Sequence, residues 1–79
     1  MNTEQTVKNF LGDFFDVSKV KDDDNIFELG LVNSLFAVQL VNFIEQEFDV
    51  IIDNDDLDIQ NFRSVSAISA LINSKLQNQ

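Results

Sequence analysis

Apolar residues recur at helical spacing in three stretches of this 79-residue chain, and nowhere do they alternate with polar ones over a useful length. From Thr3 to about Phe15, the residues Val7, Phe10, Leu11 and Phe14 fall on one helix face. Thr3 suits the cap of that helix, and Glu4 suits the positive end of its dipole. The clearest stripe runs through a second helix from Ser34 to Phe48, where Ala37, Leu40, Val41, Ile44 and Phe48 face one way. A last helix begins at Ser64 and turns Val65, Ile68, Leu71, Ile72 and Leu76 inward.

The connections are unequal. A long loop, roughly Asp16 to Asn33, carries the acidic run Asp22 to Asp24. Loops of this length inside a small domain are usually functional. Ile26, Phe27 and Leu29 are expected to pin it to the core, and Gly30 supplies backbone freedom before the second helix. Asp49 to Asp53 is a short break, followed by a brief helical turn near Asp55 to Ile59 with Asn54 or Asp53 as its cap. The expected architecture is all-α: a small four-helix bundle with a long first loop and a short third helix. It forms one domain over residues 1–79, expected to be free-standing and monomeric, since nothing marks a linker at either end.

Composition narrows the function by exclusion. Apolar residues make up 44 % of the chain, enough for a core. Acidic side chains outnumber basic ones 14 to 5, so the formal net charge of −9 disfavours nucleic acid and anionic lipid as partners. No apolar run is long enough to span a membrane, and the N-terminus lacks the pattern of a signal peptide; the expected location is the cytoplasm. Without histidine or cysteine there is no imidazole base, no thiolate and no imidazole or thiolate to bind a metal. The two glycines form no phosphate-cradling loop. Asp53 to Asp58 fails as a calcium loop, because the fifth position is Leu57 and the sixth Asp58 where glycine is needed. No metal site is expected, and the chain does not read as an enzyme.

Ser34 is the candidate that remains. It lies where the acidic loop meets the strongest helix, so its hydroxyl is accessible and a phosphate there would meet the helix N-terminus. The competing reading is a plain helix cap. Around Ser34 the chain reads Asp24-Asn-Ile-Phe-Glu-Leu-Gly-Leu-Val-Asn-Ser-Leu-Phe-Ala-Val-Gln-Leu-Val, followed by Ile44-Glu-Gln-Glu-Phe48 and then Phe62-Arg-Ser-Val-Ser-Ala-Ile. These three blocks, in order and over nearly the whole chain, resemble the acyl carrier protein superfamily. The resemblance implies a bundle of acyl-carrier type. It implies that Ser34 carries 4'-phosphopantetheine, attached covalently from coenzyme A by a phosphopantetheinyl transferase with Mg²⁺. An acyl unit would then ride as a thioester on the arm's own thiol, which accounts for a carrier without cysteine.

The central block, with Asp56-Leu-Asp-Ile-Gln-Asn-Phe-Arg-Ser downstream, looks like a group of discrete carriers in polyketide and hybrid peptide–polyketide pathways. That group holds a glycolysis-derived three-carbon unit as glyceryl, hydroxymalonyl or methoxymalonyl. The implied partners are an acyl-loading enzyme, dehydrogenases or a methyltransferase acting on the tethered unit, and an acyltransferase or synthase. Asn33 departs from the family pattern, which places aspartate before the modified serine; the amide keeps a capping oxygen and loses the charge. Partner docking is expected on Val32, Asn33, Leu35, Phe36, Val38, Gln39 and Asn42. Phe36 is either an exposed aromatic anchor beside Ser34 or a ring folded over the loop onto Val32 or Phe27. Two other readings stand beside this one: an aminoacyl carrier of D-alanyl type, and a helical interaction module whose Ser34 stays unmodified.

Overall fold

The computed structural model describes residues 2–30 and 32–77. Its α-helices are α1 (Thr3–Gly12), α2 (Ser34–Phe48), α3 (Ile59–Phe62) and α4 (Val65–Gln77), with a 3₁₀ turn at Asn54–Asp56. No strand occurs among the described residues. The expected turn near Asp55 to Ile59 is thus two pieces. Asp53 precedes the 3₁₀ turn, and the Asp58 carboxylate accepts the Gln60 N–H at 2.8 Å to start α3.

Each helix begins at a polar side chain, since its first N–H groups have no partner within the helix. Asn2 Oδ1 accepts the Gln5 N–H at 2.7 Å, so Asn2, not Thr3, caps α1. The helix also stops earlier than Phe15, because the Phe14 and Phe15 N–H groups both turn back onto the Leu11 carbonyl. Ser64 Oγ accepts the Ala67 N–H at 3.0 Å and caps α4.

Burial follows a single line on each helix. Val7 and Leu11 of α1, Leu40 and Ile44 of α2, and Val65, Ile68 and Ile72 of α4 are all essentially sealed from solvent. Of the residues expected to face inward, Phe14 is 53 % exposed past the end of α1, Leu29 is 52 % exposed in the loop and Leu76 is 39 % exposed in the last turn of α4. Among the described loop residues Ile26 and Val32 are buried, with Phe27 partly so.

Backbone hydrogen bonds hold the long loop at two points. Ile26 donates its N–H to the Arg63 carbonyl at 2.7 Å, and Ser66 donates to the Asp22 carbonyl at 2.8 Å. Lys8 of α1 adds an ion pair with Asp22. Nearer α2, Asn25 Oδ1 accepts the N–H groups of Phe27 and Glu28, and the chain turns through Gly30 at φ +77, where a β-carbon would be strained.

Lys75, near the end of α4, grips the segment before α3 through ion pairs with Asp53 and Asp56. Arg63, close to these acids in sequence, forms no ion pair among the described residues. The hydrogen bond from Lys75, aided by the Asp53 N–H, holds the Asp56 carboxyl below its ordinary 3.8. The same contact holds the Lys75 ammonium above its ordinary 10.5. A lowered carboxyl stabilises the fold above its unfolded value and loses that contribution as pH falls through the folded one. A raised ammonium contributes below its unfolded value and loses it as pH rises through the folded one. The difference in melting temperature between wild type and Lys75→Met should therefore be flat between pH 3.8 and 10.5 and shrink beyond either end. Thermal melts across that range check it, and a difference that persisted in strong acid would exclude the clamp.

Candidate functional site

Ser34 is the first residue of α2, and the cap is its neighbour. Asn33 has extended backbone angles, and its Oδ1 accepts the Phe36 N–H at 2.9 Å while its carbonyl accepts from Ala37. The amide therefore fills the capping role without a charge. This removes the plain-cap reading of Ser34. Its side chain is exposed, and its hydroxyl has no hydrogen bond among the described residues. The N–H groups of Ser34 and Leu35 also have no acceptor among those residues, so the positive end of a 15-residue helix stands open beside the hydroxyl. A phosphate on Ser34 Oγ would sit in that field.

One flank of α2 near Ser34 borders an apolar cleft of about 260 Å³. Ala37, Val38 and Val41 form its α2 wall, and Leu57, Ile59 and Phe62 form the wall opposite. Phe27 from the loop closes one part, and Ser34 and Asp58 complete the lining. A group attached at Ser34 thus has an apolar bed within the same cleft.

The other flank of α2 carries five phenylalanine rings. Phe10 stacks on Phe43 with centroids 4.1 Å apart, and Phe36 meets Phe14 and Phe15 edge-on at 5.1 and 5.0 Å. Phe36 is 8 % exposed, so it is a core residue and not a docking anchor. Its partners are the rings of α1 and the turn after it, in place of the expected Val32 or Phe27. The reason is helical phase: with Leu40 and Ile44 sealed, the residue four positions earlier shares their side. Val32 is buried as well and leaves the expected docking set for the same reason of accessibility.

The rest of that set lies at the surface. Leu35 is 72 % and Val38 58 % exposed, and Asn33, Gln39 and Asn42 are exposed too. Sequence reasoning missed Leu57 and Ile59, which stand 54 % and 58 % exposed on the far wall of the cleft. Two apolar residues flanking an acid in a segment too short to hide them were the available signal. The first acid of α2 is Glu45, and its Oε2 accepts the Ile52 N–H at 2.9 Å.

A family model described as the phosphopantetheine attachment site matches residues 5–72. The chain belongs to that family. It is a carrier protein for covalent 4'-phosphopantetheine, a substrate of other enzymes and not itself a catalyst. The helical bundle is the fold of acyl-carrier type, and such carriers work with a phosphopantetheinyl transferase and with acyl-handling enzymes. No curated protein matches the chain. No helix among the described residues is long and apolar enough to cross a membrane.

In this carrier, Phe36→Ala should cost about 3 kcal/mol of stability, because it empties a site ringed by packed aromatics. Leu35→Ala, one position away but in solvent, should change stability by no more than about 0.5 kcal/mol. Urea unfolding of the two variants beside wild type checks the pair, and equal losses would place both residues wrongly.

Proposed function

We propose that Ser34 is the attachment residue and that the protein is a discrete carrier for a small acyl unit in polyketide or hybrid peptide–polyketide synthesis. The observation that carries the first half is a free, exposed hydroxyl on the first residue of α2, with the cap already supplied by Asn33. Loading forms a bond from Ser34 Oγ to the phosphorus that bears pantetheine and breaks the pyrophosphate link of coenzyme A, releasing 3',5'-adenosine bisphosphate. The chain has no histidine, so the base that takes the Ser34 proton belongs to the transferase. The bound arm supplies a thiol for thioester formation. This chain's residues anchor it, place its phosphate at the α2 N-terminus and offer the apolar wall beside it.

The three-carbon unit rests on the sequence around Ser34 and on the segment from Asp56 to Ser64, which resemble carriers of glyceryl-derived units. A D-alanyl carrier would differ in its loading enzyme, an adenylating one in place of a phosphoglycerate-processing one. Docking is proposed on Leu35, Val38, Gln39 and Asn42, joined by Leu57 and Ile59 across the cleft. Because no acid occurs on α2 before Glu45, partner affinity should depend weakly on salt. Titration of a cognate loading enzyme at rising ionic strength tests this, and a steep loss of affinity would point to acidic docking elsewhere.

The direct test of the carrier reading is intact mass after incubation with coenzyme A, Mg²⁺ and a broad-specificity phosphopantetheinyl transferase. Wild type should gain one phosphopantetheine and Ser34→Ala none. Asn33→Asp should gain it at least as fast, because the cap survives and the family's charge returns. Modification of Ser34→Ala would move the attachment to another residue.

A further inference from the structure

The cleft that opens at Ser34 is apolar except for one carboxylate. Asp58 lines it between Leu57 and Ile59, and neither lysine nor arginine is among the lining residues. One Asp58 oxygen is committed to the Gln60 N–H at 2.8 Å. The other has no hydrogen bond or ion pair among the described residues. Arg63 lines an adjoining depression, shared with Glu28, Gln60 and Ile59, and is not part of the cleft. A group anchored at Ser34 and lying along this cleft therefore meets an uncompensated negative charge that can accept hydrogen bonds and cannot donate them.

We propose that Asp58 is a specificity-determining residue for the tethered unit. Units bearing hydroxyl or ammonium donors rest in the cleft, and units ending in a free carboxylate are kept out of it. The physical basis has two parts. A hydroxyl or ammonium entering an apolar cleft needs an acceptor, which the free Asp58 oxygen supplies. A carboxylate entering the same space finds no donor in the side chains opposite and a like charge beside it, which disfavours entry. Asp58 is itself exposed, so the discrimination is a bias in occupancy and not an absolute gate. A carrier built this way shelters an uncharged or cationic unit and leaves a carboxylated one presented to partners. The inference rests on Ser34 being the attachment residue.

The test loads the full chain with coenzyme A analogues whose arms end in amide-linked glyceryl, alanyl or malonyl groups. Intact mass confirms each loading, and methyl NMR shifts of Val38, Val41, Leu57 and Ile59 are read against the form with a bare arm. The glyceryl and alanyl forms should displace these methyl signals, and the malonyl form should leave them near their bare-arm positions. Asp58→Asn keeps an α3 cap and removes the charge, so it should raise the cleft-bound fraction of the malonyl form about three-fold. Equal displacement by malonyl in the wild type, no displacement by any unit, or no effect of Asp58→Asn would overturn the role of Asp58. A chain that accepts no arm at all, in wild type and Asp58→Asn alike, would instead overturn the attachment reading and this inference with it.

Discussion

Helix α2 has more apolar surface than one face can hide, and the way that surplus is shared governs the rest of the molecule. Leu35, Phe36, Ala37, Val38, Leu40, Val41, Phe43 and Ile44 follow one another with only Gln39 and Asn42 between them. The fold seals Phe36, Leu40 and Ile44, half-covers Ala37, Val41 and Phe43, and leaves Leu35 and Val38 in water. That rotation decides what each neighbour must provide. The α1 side supplies aromatic rings for Phe10, Phe14 and Phe15 to close over Phe36, an area of contact that aliphatic side chains would fill less well. The opposite flank receives Phe27 of the loop and the short segment from Leu57 to Phe62, and the incomplete cover there is the cleft at Ser34.

The electrostatic plan complements that packing. With a formal charge of −9, the chain has many places to put acids, yet α2 has none for its first eleven residues. Asn33 continues the pattern by capping with an amide. A phosphodiester on Ser34, with its single negative charge, would then face open N–H groups and no carboxylate from the preceding residue. Acids appear instead where they make structure: Asp22 against Lys8, Glu45 on the Ile52 N–H, Asp56 under Lys75.

Helical periodicity made the three longer helices legible in the sequence, and α2 runs over the residues that its stripe and Ser34 together marked out. Its rotation was not legible. The stripe through Ala37, Leu40, Val41, Ile44 and Phe48 and the line Phe36, Leu40 and Ile44 differ by a fraction of a turn. On a helix apolar nearly all round, only the position of its neighbours chooses between them. The choice between an exposed and a packed Phe36 stayed open for that reason. The caps Asn2 and Asn33 each stood one residue before a hydroxyl residue that competed for the same role, and local chemistry does not separate the two. The split of the third helix depended on Asp58 acting as a cap at the end of an acidic run, which no periodicity announces.

The clasp between the loop and the α3–α4 junction divides that loop into two stretches under different rules. From Asp22 to Ile26 the chain must span the distance between two fixed partners, the Ser66 N–H and the Arg63 carbonyl. One residue more or fewer there would strand a backbone group next to buried Ile26. From Asp16 to Lys19 the chain is a surface turn held by Asp16 and Ser18, with Val17 packed against the core. The part of the loop that leads to Ser34 is thus dimensioned from the α3–α4 junction, while an insertion at the exposed Ser18 and Lys19 leaves that span unchanged.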